Sequence, residues 1–217
     1  DAAWGPEGEL AVATRRSGVT LIQPDGTFAH HDLEGCCLAV AWQDDTLGAI
    51  GVGGVLHELR DGTWTPSDAP LVEEGAWDIV PWGGDGWAIS DYGGRNDVLA
   101  VTVRDGRVVD TIHGAKGLGF DLASDGERVV IASASGTFLW DGAAVAQLDT
   151  THTTAATWTP YGPATAGADR QVRIFAPTGE LLHTWDRHTA IISMAWTPWG
   201  LTTASLDGAR LVPVTLP

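Results

Sequence analysis

An aromatic residue returns along this chain at nearly constant spacing, and that period limits the fold more than any other feature. Trp4, Trp42, Trp82, Leu122, Trp158 and Trp196 stand 38, 40, 40, 36 and 38 residues apart. Four positions after each anchor come Gly8, Thr46, Gly86, Gly126, Gly162 and Gly200; two positions after it proline recurs as Pro6, Pro160 and Pro198. A repeated unit of this length buries its apolar faces mainly against its neighbours, so the repeat itself is the building block of the fold.

Each copy divides in the same way. An apolar run such as Leu38–Trp42 or Ile192–Trp196 leads to the anchor, and a second run follows a turn, as in Glu9–Thr14 or Glu127–Ser133. A third run, such as Val98–Val103 or Val172–Phe175, ends in a turn carrying Asp-Gly or Thr-Gly (Pro24–Gly26, Arg60–Gly62, Arg104–Gly106, Trp140–Gly142, Pro177–Gly179). Short β-branched or alternating runs punctuated by such turns are strands, and Asp-Gly supplies the positive φ of a tight hairpin. A more polar fourth run, such as Thr27–Leu33 or Glu180–Trp185, completes the unit. Four short strands per repeat make one blade of a β-propeller. The expectation is a single all-β domain over residues 1–217, with six recognisable four-stranded blades. Copy six stops after its third run and copy one begins almost at its anchor. The propeller is therefore expected to be incomplete at the N-terminus, the alternative being a seven-bladed ring lacking its first blade. An unpaired strand edge invites association, so upstream residues or a partner chain are expected to supply a closing strand.

The last third of the chain carries more specific signals. Thr157–Gly162 (TWTPYG) precedes Thr165–Phe175 (TAGADRQVRIF), and Ala195–Gly200 (AWTPWG) precedes Thr203–Val214 (TASLDGARLVPV). Each copy is preceded by a histidine, His152 or His188, and contains an aspartate, Asp169 or Asp207. This cadence resembles the WD-repeat β-propeller family. The resemblance implies that His152 pairs with Asp169, and His188 with Asp207, as structural hydrogen bonds near Thr165 and Ser205. It also implies a rigid, non-catalytic scaffold for protein–protein binding within a larger assembly.

Composition narrows the function further. Lys and Arg number 12 against 28 Asp and Glu, a formal charge of −16, and Lys116 is the lone lysine. Nucleic-acid affinity comes mostly from cations neutralising phosphates, so nucleic-acid binding is not expected. No apolar run reaches bilayer length, and a soluble protein without a membrane partner is expected. Cys36 and Cys37 are adjacent, which places them on opposite faces of a strand and gives neither a disulfide framework nor a thiolate metal site. His30–His31–Asp32 fails as a metal site for the same geometric reason. Arg60–Trp64 lacks the D-x-G-x-T-W spacing of sialidase-type propellers, and Ser, His and Asp occur without a nucleophile elbow. No metal, cofactor or catalytic residue is assigned, and the protein is not expected to be an enzyme.

Two surfaces are candidates for partner contact. Trp199 and Tyr161 fill a usually polar position of the turn between first and second strands, and exposed aromatics commonly anchor interfaces. On the opposite face, the turns between second and third strands carry Arg15, Arg16, Tyr92, Arg95 and Arg170, suited to a carboxylate-bearing partner. The alternative function is an enzyme or small-ligand binder using the central channel, where Asp78 and Asp121 stand on inner strands.

Overall fold

The computed structural model describes residues 1–15, 18–33, 37–73, 75–92, 97–114 and 118–212. Among these, every regular element is a strand, and the strands form six antiparallel meanders. Blade 1 holds β1 (Ala2–Trp4), β2 (Leu10–Thr14), β3 (Gly18–Ile22) and β4 (Phe28–His31). Blade 2 holds β5 (Ala39–Gln43), β6 (Thr46–Ile50), β7 (His57–Arg60) and β8 (Thr63–Pro66). Blade 3 follows with β9 (Ile79–Trp82), β10 (Gly86–Ser90), β11 (Val98–Arg104) and β12 (Arg107–His113). Blade 4 comprises β13 (Gly119–Ser124), β14 (Val129–Ser133), β15 (Gly136–Trp140) and β16 (Val145–Asp149). Blade 5 comprises β17 (Thr153–Thr159), β18 (Gly162–Gly167), β19 (Gln171–Phe175) and β20 (Leu181–Asp186). Blade 6 has three strands among the described residues: β21 (Ile191–Thr197), β22 (Gly200–Ser205) and β23 (Gly208–Val212).

The turn chemistry read from the sequence explains the meanders. At Arg60–Thr63, Asp61 (φ 49°) and Gly62 (φ 74°) both adopt positive φ, and Asp105 (φ 51°) and Gly106 (φ 66°) repeat this between β11 and β12. Two successive positive φ angles match the right-handed twist of the flanking strands. The glycine after the Trp-Thr-Pro turn has a different reason. Gly162 sits at φ 125°, and a Cβ there would lie 2.4 Å from the carbonyl oxygen of Phe175.

Five apolar cores lie between adjacent blades, one for each pair from 1–2 to 5–6. Ala11, Val19, Leu47 and Ala49 close the first, and Ile50, Ile79, Trp87 and Ile89 the second. Leu99, Ile131, Phe138 and Trp140 form the third, Val130 and Leu139 the fourth, and Val172, Ile174, Met194 and Leu201 the fifth. The inner strands of all six blades surround a central channel of about 670 Å³. Trp42, Leu122, Trp158 and Trp196 pack into these cores as expected of repeat anchors. Trp4 does not: it is 71% exposed, because its face of blade 1 has no core against it.

Candidate functional site

A surface crevice of about 170 Å³ opens where blades 1, 2 and 3 meet, on the face carrying the turns between second and third strands. Arg15 from the turn after β2, Val52 from the loop after β6, and Trp77 and Tyr92 form its rim, above Leu38 and Ala76. Trp77 and Tyr92 stand edge to face with ring centroids 5.0 Å apart, and each keeps 38% of its surface exposed. The backbone beneath them is tied down. Ser90 Oγ accepts from the N–H groups of Trp77 (3.1 Å) and Asp78 (2.9 Å), while Tyr92 N–H donates to Gly75 O at 3.1 Å. Ala76 N–H reaches Gly51 O at 3.2 Å, which joins the blade 2 loop to the approach to β9. Gly75 adopts φ 111° with the backbone of Val52 against it, an approach that a side chain would block. The result is a pre-positioned aromatic pair over a mainly apolar floor, with one guanidinium at the margin.

The channel holds the two inner-strand aspartates. Asp78 Oδ1 accepts from Ile79 N–H (2.8 Å) and Oδ2 from Leu122 N–H of blade 4 at 2.6 Å. Asp121 Oδ2 accepts from Ala156 N–H of blade 5 at 2.7 Å. The two carboxyls also hydrogen-bond each other, which requires a proton between them. Burial drives Asp78 well above the usual carboxyl range, and the charge of Asp121 and their shared hydrogen bond push it further. Burial raises Asp121 too, while the bond from Asp78 and the backbone N–H of Ala156 pull it back. Their mutual hydrogen bond thus favours the protonated form of Asp78 and the charged form of Asp121. Similar clasps occur elsewhere on the inner strands: Asp1 Oδ2 accepts from Val40 N–H (3.0 Å) and Thr157 Oγ1 from Trp196 N–H (3.3 Å). The acid pair belongs to this series of blade-to-blade ties.

The pairing implied by the family resemblance is not what forms around Asp169. Its carboxylate receives Arg173 and the N–H of Gln171, and Arg173 Nε also lies 2.9 Å from Asp149 Oδ2 of blade 4. A guanidinium makes a charge-assisted contact that a neutral imidazole does not match. His152 instead stacks on Phe120 with centroids 5.4 Å apart. No hydrogen bond joins His188 to Asp207, whose N–H donates to Ser205 Oγ at 3.3 Å; both side chains lie in the exposed margin of blade 6. Thr165 does serve the blade contact, since Thr137 Oγ1 of blade 4 donates to its Oγ1 at 3.2 Å.

The remaining candidates separate. Arg15 and Tyr92 share the crevice, whereas Arg170 stands exposed at φ 66° on the turn between β18 and β19, in blade 5. Arg16 and Arg95 lie outside the described residues, as does Cys36; Cys37 is buried in the core between blades 1 and 2. Trp199 is 79% exposed, while Tyr161 packs edge-on against Trp196 at 6.2 Å instead of joining Trp199 in one patch. His30 bonds Thr20 Oγ1 while His31 meets the ring of Trp64 of blade 2 at a tilt, centroids 5.8 Å apart, the divergence expected of neighbours on a strand. Trp77 is the residue that sequence reasoning missed. Its signal was an aromatic five positions before the anchor, where Cys37, Thr153 and Ile191 occupy other copies.

No protein-family model matches the chain, and no curated protein does. Among solved structures 1118 chains match, so this fold is shared far too widely to identify a function by itself. One is a chain in the crystal structure of a mitotic checkpoint complex, with a TM-score of 0.73 and 16% identity, covering 96% of this chain and 84% of that one. The protein is a β-propeller with six blades, and the likeness is one of fold.

Proposed function

We propose that this propeller is a non-catalytic protein-interaction scaffold of the WD-repeat type, and that it docks a partner segment at the Trp77–Tyr92 crevice. The observation that carries this reading is the exposed, edge-to-face aromatic pair held on a hydrogen-bonded backbone. Aromatic groups fixed before binding give large contact area at small entropic cost, which is the character of interface hot spots. The crevice suits one apolar anchor side chain. Occurrence of a similar fold in a multiprotein checkpoint complex is consistent with protein partners. A channel enzyme is disfavoured because Asp78 and Asp121 are committed to backbone N–H groups and to each other. The unpaired edge of β23, which has no fourth strand among the described residues, adds a place for a partner's closing strand.

The test is native purification of the wild-type, Trp77→Ala, Tyr92→Ala and Trp199→Ala proteins at physiological ionic strength, with quantitative mass spectrometry. Truncating a hot-spot anchor costs about 2 kcal/mol, on the order of a 30-fold loss of affinity. A stoichiometric partner is expected to be lost with either crevice variant and kept with Trp199→Ala. Retention by both crevice variants would assign docking elsewhere.

A further inference from the structure

The seam between blade 6 and blade 1 is bounded by two uncovered apolar sheet faces. We infer that it seats a seventh antiparallel blade, contributed by polypeptide outside residues 1–217. This goes beyond an edge-pairing strand, because the features that need covering are faces.

Directly paired residues of an antiparallel sheet share a face. In blade 1, Trp4, Leu10, Ile22 and Phe28 are paired in one cross-strand row. Trp4 is 71% and Phe28 74% exposed, whereas the opposite face of the same blade is buried against blade 2. In blade 6, Ala195, Thr202 and Leu211 form the corresponding open row, with Leu211 51% exposed. Its other face lies in the core shared with blade 5. No apolar core among the described residues joins blades 6 and 1, although one joins every other adjacent pair.

The position of Trp4 in the repeat makes the point specific. Of its five equivalents, Trp82 packs on the core shared with the following blade, while Trp42, Leu122, Trp158 and Trp196 enter the core shared with the preceding one. Trp4 is built to do the same and has no preceding blade against it. The occupant is a sheet because the two faces continue a series in which every interface is sheet on sheet, and the small residues of blade 6 admit a close backbone. A second copy of this chain is disfavoured, since each copy brings a net charge of −16.

The test places a photo-crosslinking benzoylphenylalanine at Phe28 or at Leu211 in the protein within its native cells. Both positions are exposed, so folding is not at stake, and adducts are mapped by mass spectrometry. The expected result is that both faces crosslink to one segment, outside residues 1–217, whose sequence reads as short alternating strands. Adducts between the two faces would mean that six blades close on themselves; adducts to a second copy would mean self-association. Either outcome, two unrelated segments, or no adduct overturns the proposal. On residues 1–217 alone, the acrylamide quenching lost on Trp4→Phe measures the accessibility of Trp4, and a shielded Trp4 would equally overturn it. Crosslinks that survive Trp77→Ala separate this seam from the crevice.

Discussion

A carboxyl that keeps its proton above the ordinary range makes a folded protein lose stability as pH rises. For Asp78 the sign is set by burial and by Asp121, both of which raise its folded pKa. Below about pH 4, where an unfolded aspartate is also protonated, the group costs nothing. As pH climbs from there toward the raised folded value, the unfolded chain releases a proton that the folded state retains, and stability falls. Asp78→Asn keeps an acceptor for Leu122 N–H and an N–H group for Asp121 without that penalty; it gives up the acceptor for Ile79 N–H, a loss that does not vary with pH. The stability of Asp78→Asn relative to wild type is therefore expected to rise with pH from about 4 upward, read by denaturant unfolding at a series of pH values. A constant difference would show that the pair does not share a proton. The histidines were harder to read than the aspartates. His152 and Asp169 stand at family-like positions, but partner choice is made in space, and Arg173 reaches Asp169 and Asp149 together.

At the scale of strands and turns, most of the architecture was legible, because hairpin chemistry is local. Asp61–Gly62 and Asp105–Gly106 announce their turns in the sequence and adopt them in the structure. Which glycines are indispensable is not local information. Gly126 and Gly162 occupy the same place in the repeat, yet a Cβ on Gly126 (φ 95°) meets nothing within 4 Å, whereas one on Gly162 (φ 125°) strikes Phe175 O and the backbone of Ala176 and Pro177. Gly126→Ala is expected to cost about 1 kcal/mol through backbone strain. Gly162→Ala adds a collision with a paired strand and is expected to cost about 2–4 kcal/mol. Equal losses in thermal unfolding would mean that the turn relaxes freely around the added methyl. The crevice was legible only in part, since Arg15 and Tyr92 are turn residues but Trp77 joins them only after three blades are assembled.

For the whole molecule, stability is a matter of how many faces each blade has covered. Strands β10, β14 and β18 are buried along their full lengths, each in a blade with a core on both sides. Strand β2 alternates between buried and half-buried residues, and β23 is exposed except at Val212, because blades 1 and 6 each have one open face. In an array of repeats, local opening costs the intrinsic stability of a unit plus its neighbour contacts, so a unit with one neighbour opens more cheaply than a unit with two. Hydrogen exchange of residues 1–217 is accordingly expected to show a gradient. Amides of β2, β3, β22 and β23 should exchange through low-energy openings, and those of β10, β14 and β18 only near global unfolding. Uniform protection would mean that the ring opens as one cooperative unit and that the uncovered faces carry no energetic consequence. A sheet seated between blades 6 and 1 supplies the missing neighbour to both ends at once. The same measurement on the assembled protein should then find the gradient flattened from both ends inward, whereas a strand added only at the edge of β23 would protect blade 6 and leave blade 1 exchanging as before.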